Sequence, residues 1–121
     1  MERYIVHGPV RLCGTVRVSG SKNAVLPMMA ATVLTGHPCI IHGVPDLSDV
    51  SVMSQILKTL GSEVEFRREA PHGHQLVIDA SSLHSHEVPE GLMRQMRSSI
   101  FLMGPLLARL GKVKVSYPGG C

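Results

Sequence analysis

Leu34-Thr-Gly-His-Pro-Cys-Ile-Ile-His-Gly-Val-Pro45 runs from the end of an apolar helix, through Gly36, into a short strand over Pro38–His42 that stops at Gly43 and Pro45. Leu110-Gly-Lys-Val-Lys-Val-Ser-Tyr-Pro-Gly119 repeats that order of helix end, glycine, strand and Gly/Pro stop. In the second copy Val113 and Val115 alternate with Lys112, Lys114 and Ser116, the period of two of a half-buried strand. The echo reads as one structural unit seen once in full and once cut short. A unit cut short leaves strand edges unpaired and an apolar helix face uncovered, so the chain is expected to be a piece of something larger.

Outward from the first copy, the upstream helix covers Asn23–Leu34, a run of Ala, Leu, Met and Val, with Ser21 as its N-cap and Pro27 in its first turn or so. Before it, Tyr4–His7 is extended, and Leu12, Gly14, Val16 and Val18 alternate with Cys13, Thr15, Arg17 and Ser19 as a strand that Gly20 ends. Downstream, Ser48 caps a helix whose Val50, Met53, Ile56, Leu57 and Leu60 share one face, and Gly61 terminates it. Val64–Phe66 and Leu76–Ile78 form two strands around a turn at Glu69–His74. Glu87–Glu90 opens a third helix, apolar at Leu92, Met93, Met96, Ile100, Met103 and Leu107, kinked at Pro105 and ended by Gly111. The order is β-α-β-α-β-β, then α-β, an α/β (α+β) class.

With 121 residues the chain suits one ordinary domain of roughly 100–150 residues. Its 44% hydrophobic and 17% charged residues exclude disorder. Aromatics make up only 3%, too few for the stacking platforms of single-stranded nucleic acid binding. The longest apolar stretches, Ala24–Leu34 and Ile100–Ala108, each contain a proline and fall short of the ~20 residues that span a bilayer. The start, Met-Glu-Arg-Tyr, lacks a signal region, so a cytoplasmic protein without nucleic acid or membrane partners is expected. Three cysteines with no CxxC pair argue against a disulfide framework. The pairs His72/His74 and His84/His86 lie in polar, turn-rich segments and read as solvated loop histidines rather than metal ligands. Neither a metal nor another cofactor is expected.

Charge is segregated. Arg3–Pro45 holds Arg3, Arg11, Arg17 and Lys22 and no acid, and Gly91–Cys121 holds five basic residues and no acid, while Asp46–Glu90 carries eight acids. The two basic ends could converge on an anion, although Arg11, Arg17, Lys112 and Lys114 read most simply as solvent-facing strand residues.

Three places could carry chemistry. Ser19-Gly-Ser-Lys-Asn-Ala24 lies where a strand meets a helix N-terminus, with Gly20 for close approach and Lys22 for charge; an anion site and a plain capped helix both fit. Arg97, beside the apolar stripe of the third helix, is either snorkelling or held for a ligand. Cys121 follows two glycines and is either a reactive thiol or an incidental one. Cys13 and Cys39 read as small strand residues.

Several motifs occur together and in order: Val6-His-Gly-Pro9, Leu12-x-Gly-x-Val16, Ser19-Gly-Ser-Lys-Asn-Ala24, Val44-Pro45-x-Leu47-x-Asp49-Val50, Met96-Arg97-x-Ser99, Gly104-Pro105-Leu106 and Pro118-Gly-Gly-Cys121. In this combination the chain resembles the UDP-N-acetylglucosamine 1-carboxyvinyltransferases, the enolpyruvyl transferase family of the first committed step of bacterial peptidoglycan synthesis. The shikimate-pathway enolpyruvyl transferases are similar in fold but lack the cysteine loop.

The resemblance implies part of an inside-out α/β barrel built from β-α-β-α-β-β units. Residues 1–21 would pack with the C-terminal part of the full enzyme, and residues 22–121 would form an incomplete barrel domain. It implies that Lys22 and Asn23 bind phosphoenolpyruvate, and that Arg97 belongs to the anionic site taking UDP-N-acetylglucosamine. Cys121 would be the general acid that protonates phosphoenolpyruvate and the target of fosfomycin. The family's catalytic aspartate and further arginines lie beyond Cys121, so the remaining C-terminal portion is needed and the 121-residue chain alone is expected to be inactive. A non-catalytic binding remnant and one chain of a split enzyme are the alternatives.

Overall fold

The computed structural model describes residues 2–68 and 73–116. Its centre is a three-stranded antiparallel sheet of β1 (Cys39–Val44), β2 (Glu63–Arg68) and β3 (His74–Asp79), in the order β1-β3-β2. Helix α1 (Lys22–Ala31) runs on into a 3-10 turn at Thr32–Leu34, and α2 (Ser48–Leu60) connects β1 to β2. The returning strand β3 slots between those two, pairing Ile40 with Val77 on one side and Glu65 with Val77 on the other.

Strand alternation sorts the two sheet faces. Leu76 and Ile78 of β3 turn inward and are fully buried, with Ile41 and Val64 half-buried beside them in the same register. The opposite face carries Glu63, Glu65, Arg67 and Gln75. Helix α1 lies against β1 and α2, and α2 against β2, so the core closes between helices and sheet. Leu26, Met29, Met53, Ile56, Leu57 and Leu60 fill it without exposure. At the expected helix end Gly61 takes the left-handed conformation, φ 109°, and closes α2.

The third helix is broken, contrary to the continuous reading. Helix α3 (Glu90–Met93) ends in a turn, Met96 is extended at φ −151°, ψ 115°, a 3-10 segment covers Arg97–Leu102, and α4 (Met103–Leu110) follows. The break falls before the segment and not at Pro105, which occupies the first turn of α4. Proline cannot donate to the carbonyl four residues back, so a helix restarted at Met103 avoids the clash that one running through Phe101 would meet. Buried Ser99 satisfies its hydroxyl on the Met96 carbonyl at 2.6 Å.

Two other strands differ from expectation. Residues 2–20 are exposed throughout and form no strand; Leu12, Val16 and Val18 are each nearly 90% exposed. The alternation there is present, but a strand exists only where a neighbour accepts its hydrogen bonds. Cys13 is accordingly exposed rather than a packed strand residue. The last strand shrinks to a single parallel bridge, Lys114 with Glu87, although Val113 and Val115 still pack on the core.

Arg109, in the last turn of α4, is the side chain that composition did not flag. Its guanidinium donates to the carbonyls of Val33 and Thr35 at 2.9 Å each and of Ala80 at 3.2 Å. It thereby fastens the 3-10 turn after α1, the end of β3 and α4 to one another.

Candidate active site

The junction read from Ser19–Ala24 forms as expected in position and differs in detail. Ser21 is the N-cap of α1, but its hydroxyl makes no capping bond, and the first turn closes by Val25 N–H on the Ser21 carbonyl at 3.0 Å. Helix α2 begins at Ser48 itself with Leu47 as N-cap, because the Leu47 carbonyl, not the Ser48 hydroxyl, receives the first-turn amide of Val50 at 3.1 Å. Pro27 lies in the second turn of α1 rather than the first, which leaves the Asn23 carbonyl without an amide donor four residues on.

Gly20 shows why the chain is small here. A Cβ on it would overlap the Gly43 carbonyl oxygen and stand 3.2 Å from the Pro45 ring. That carbonyl is thrust forward by an irregularity between Ile41 and Val44, where Gly43 adopts φ +65°. The approach forms the wall of an open groove of about 690 Å³, lined by Arg17, Ser19, Gly20, Asp46, Leu47 and Gly73 among others.

At the start of α1, Lys22 Nζ lies 3.1 Å from Asp49 Oδ2 in the first turn of α2. The basic N-terminal part and the acidic middle part of the chain therefore meet in an ion pair, and Lys114 with Glu87 at 3.3 Å makes another. The segregated charge is partly spent within the fold. Asn23 follows Lys22 in the same exposed turn.

Arg97 opens the 3-10 segment, and that segment packs against α1. The extended residue at Met96 resets the helical phase, and Arg97 is exposed. Arg94, three residues earlier, is paired with Glu90. Lys22, Asn23 and Arg97 thus stand on two elements in contact. Cys121, with Pro118–Gly120, lies outside the described residues, as does His72.

His74 is not a loop histidine. It begins β3, sits edge-on to Phe66 with ring centroids 6.2 Å apart, and its Nε2 is 3.5 Å from Asp46 Oδ2. Among the described residues no three His, Cys, Asp or Glu side chains gather as a metal site, and no helix is long and apolar enough to cross a membrane.

The result is a mixed sheet-and-helix unit in which the lysine-bearing start of α1 follows directly, along the chain, on residues 17–20 that line an open groove. The family model for EPSP synthase (3-phosphoshikimate 1-carboxyvinyltransferase) matches residues 6–121, and the chain belongs to that family. Among individual relatives, UDP-N-acetylglucosamine 1-carboxyvinyltransferase 1 of Symbiobacterium thermophilum is 54% identical over 120 residues, 99% of this chain and 27% of that protein. The enzyme of the same name from Desulfosudis oleivorans is 46% identical over 121 residues, all of this chain and 28% of that protein. The crystal structure of the enolpyruvyl transferase NikO from Streptomyces tendae superposes with a TM-score of 0.74 at 28% identity, over 93% of this chain and 25% of that one. The chain spans little more than a quarter of the length of the curated relatives it matches.

Proposed function

We propose that the complete polypeptide carrying this chain transfers the enolpyruvyl group of phosphoenolpyruvate to the 3-hydroxyl of UDP-N-acetylglucosamine, the committed step of peptidoglycan synthesis, in the cytoplasm. The observation that carries this reading is the 54% identity, over nearly the whole chain, to a relative named for that transfer. In support, Lys22 of the Ser-Lys-Asn start of α1 stands at an exposed helix N-terminus suited to an oxyanion.

In this reading Lys22, Asn23 and Arg97 gather the phosphate and carboxylate of phosphoenolpyruvate and the sugar nucleotide. Two polyanions must be brought together, and cations on rigid elements offset their repulsion. Cys121 donates its proton to the methylene carbon. The sugar hydroxyl attacks the resulting oxocarbenium-like centre and loses its own proton. Loss of phosphate, with a proton from the new methyl group, restores the double bond. A thiol following two glycines suits an acid that must approach carbon and withdraw. The same thiol is the proposed target of fosfomycin. Residues 2–20, exposed and alternating, would find their strand partners in the remaining C-terminal portion, leaving 22–121 as part of one barrel domain.

The test is phosphate release by the complete polypeptide with phosphoenolpyruvate and either UDP-N-acetylglucosamine or shikimate 3-phosphate. Turnover with the sugar nucleotide is expected. Turnover with shikimate 3-phosphate alone would assign the reaction named in the family description instead.

A further inference from the structure

A lysine expected to receive a phosphate already holds a carboxylate. Lys22 Nζ and Asp49 Oδ2 are 3.1 Å apart, with side chains 48% and 28% exposed. An ion pair this open contributes little to stability, so its consequence lies in where the ammonium sits. Lysine's four-carbon stem samples many rotamers, and its ammonium carries three donors. Asp49 is the firmer partner: it is rooted in the first turn of α2, where the helix dipole favours a carboxylate, and α2 packs directly on α1. One donor given to Asp49 fixes the ammonium and leaves two for a ligand oxyanion.

We infer that Asp49 is a positioning residue for Lys22, anchoring one ammonium N–H so that the other two meet the anionic group of phosphoenolpyruvate. This rests on the reading that Lys22 binds that substrate. Plain electrostatics makes the opposite forecast. A carboxylate beside an anion site repels the anion, and deleting it should tighten binding. The two accounts differ in sign.

The experiment measures phosphoenolpyruvate and inorganic phosphate dissociation constants, KM and kcat in the complete polypeptide, with thermal melts as the fold control. Asp49→Ala is expected to weaken phosphoenolpyruvate binding about tenfold, near 1.4 kcal/mol, and to raise KM accordingly. Asp49→Asn, which keeps an oxygen acceptor in nearly the same place, should recover part of that loss and serves if the alanine variant folds poorly. With Lys22→Ala already present, Asp49→Ala should change binding no further, which a purely structural role would not produce. Unchanged or tighter binding in Asp49→Ala and Asp49→Asn, with Lys22→Ala still impaired, overturns the positioning role alone. Full binding by Lys22→Ala overturns the substrate role of Lys22 and the inference with it.

Discussion

Lys22 Nζ and Asp49 Oδ2, 3.1 Å apart, tie the first turn of α1 to the first turn of α2. Their motifs lie 27 positions apart along the chain, and the packing of the two helices brings them together. Because both side chains are partly open to solvent, the pair is expected to do little for the fold. Lys22→Ala and Asp49→Ala should each lower stability by less than about 1 kcal/mol, and the double variant by no more than the single ones together. Urea midpoints across the cycle check this, and a coupling well above that size would make the pair a structural anchor.

Gly20 has no room for a side chain. In Gly20→Ala the new methyl must push the Gly43 carbonyl or the Pro45 ring aside, and both are backbone-bound and stiff. A loss of about 1–3 kcal/mol is expected, as in other overpacked sites. Gly14→Ala is no neutral comparison, because φ there is +141°, whereas Gly91, with open space where a side chain would stand, is. Equal melting temperatures for Gly20→Ala and Gly91→Ala would remove the close approach from the account.

Arg109 should behave as a fastener. Arg109→Met keeps an apolar stem but strands the carbonyls of Val33, Thr35 and Ala80 without their donor. Hydrogen bonds from a charged donor contribute roughly 1.5–3 kcal/mol, so the variant should lose at least that much. Arg109→Lys, a single point donor in place of a planar fork, should fall between. Hydrogen exchange at the end of β3 would rise in Arg109→Met before the rest of the sheet opens.

Acid sensitivity has a traceable source. The Ser81 amide donates to Asp79 Oδ1 at 2.9 Å, and the bonds from Ser81 hold the Asp79 carboxyl below its usual range. Glu65 is likewise lowered by its hydrogen bonds to Arg67. A depressed folded-state value adds stability above the unfolded pKa of about 4, and that stability disappears as pH falls through the folded value. Denaturation midpoints should therefore decline below about pH 4, and the decline should be shallower in Asp79→Asn. An unaltered acid limb in that variant would place the sensitivity elsewhere.

For Cys121 the proposed chemistry separates two functions of one atom. Cys121→Asp retains a proton donor but cannot form a thioether, so turnover should persist while fosfomycin no longer labels the protein. Cys121→Ala should lack turnover. Peptide mapping that finds the adduct on Cys13 or Cys39 instead would take Cys121 out of the mechanism.

Much of the architecture was legible from residue order. The apolar face of α2 from Val50 to Leu60, its end at Gly61, and the β2–β3 hairpin all follow from local periodicity and chain stops. Lys22, Asn23 and Arg97 came as site candidates from the resemblance, and the structure sets them on α1 and on the 3-10 segment that packs against it. The errors have two physical origins. Leu12, Val16 and Val18 alternate like a strand, yet 2–20 joins no strand ladder among the described residues. Met96 and Ile100 keep helical spacing, yet Pro105 disfavours a helix through Phe101 and the phase is reset at Met96.

What the sequence by itself determined, then, is the set of local elements and the chemical groups they carry, since propensity, alternation and chain stops act within a few residues. What only the tertiary structure decided is which groups meet. Asp49 comes to Lys22 because α2 packs on α1; the Gly43 carbonyl comes to Gly20 because the strand is irregular before Val44; and Arg109 reaches Val33, Thr35 and Ala80 because α4 packs against the turn after α1. Such pairings depend on the burial of apolar faces tens of residues apart, and no local pattern encodes them.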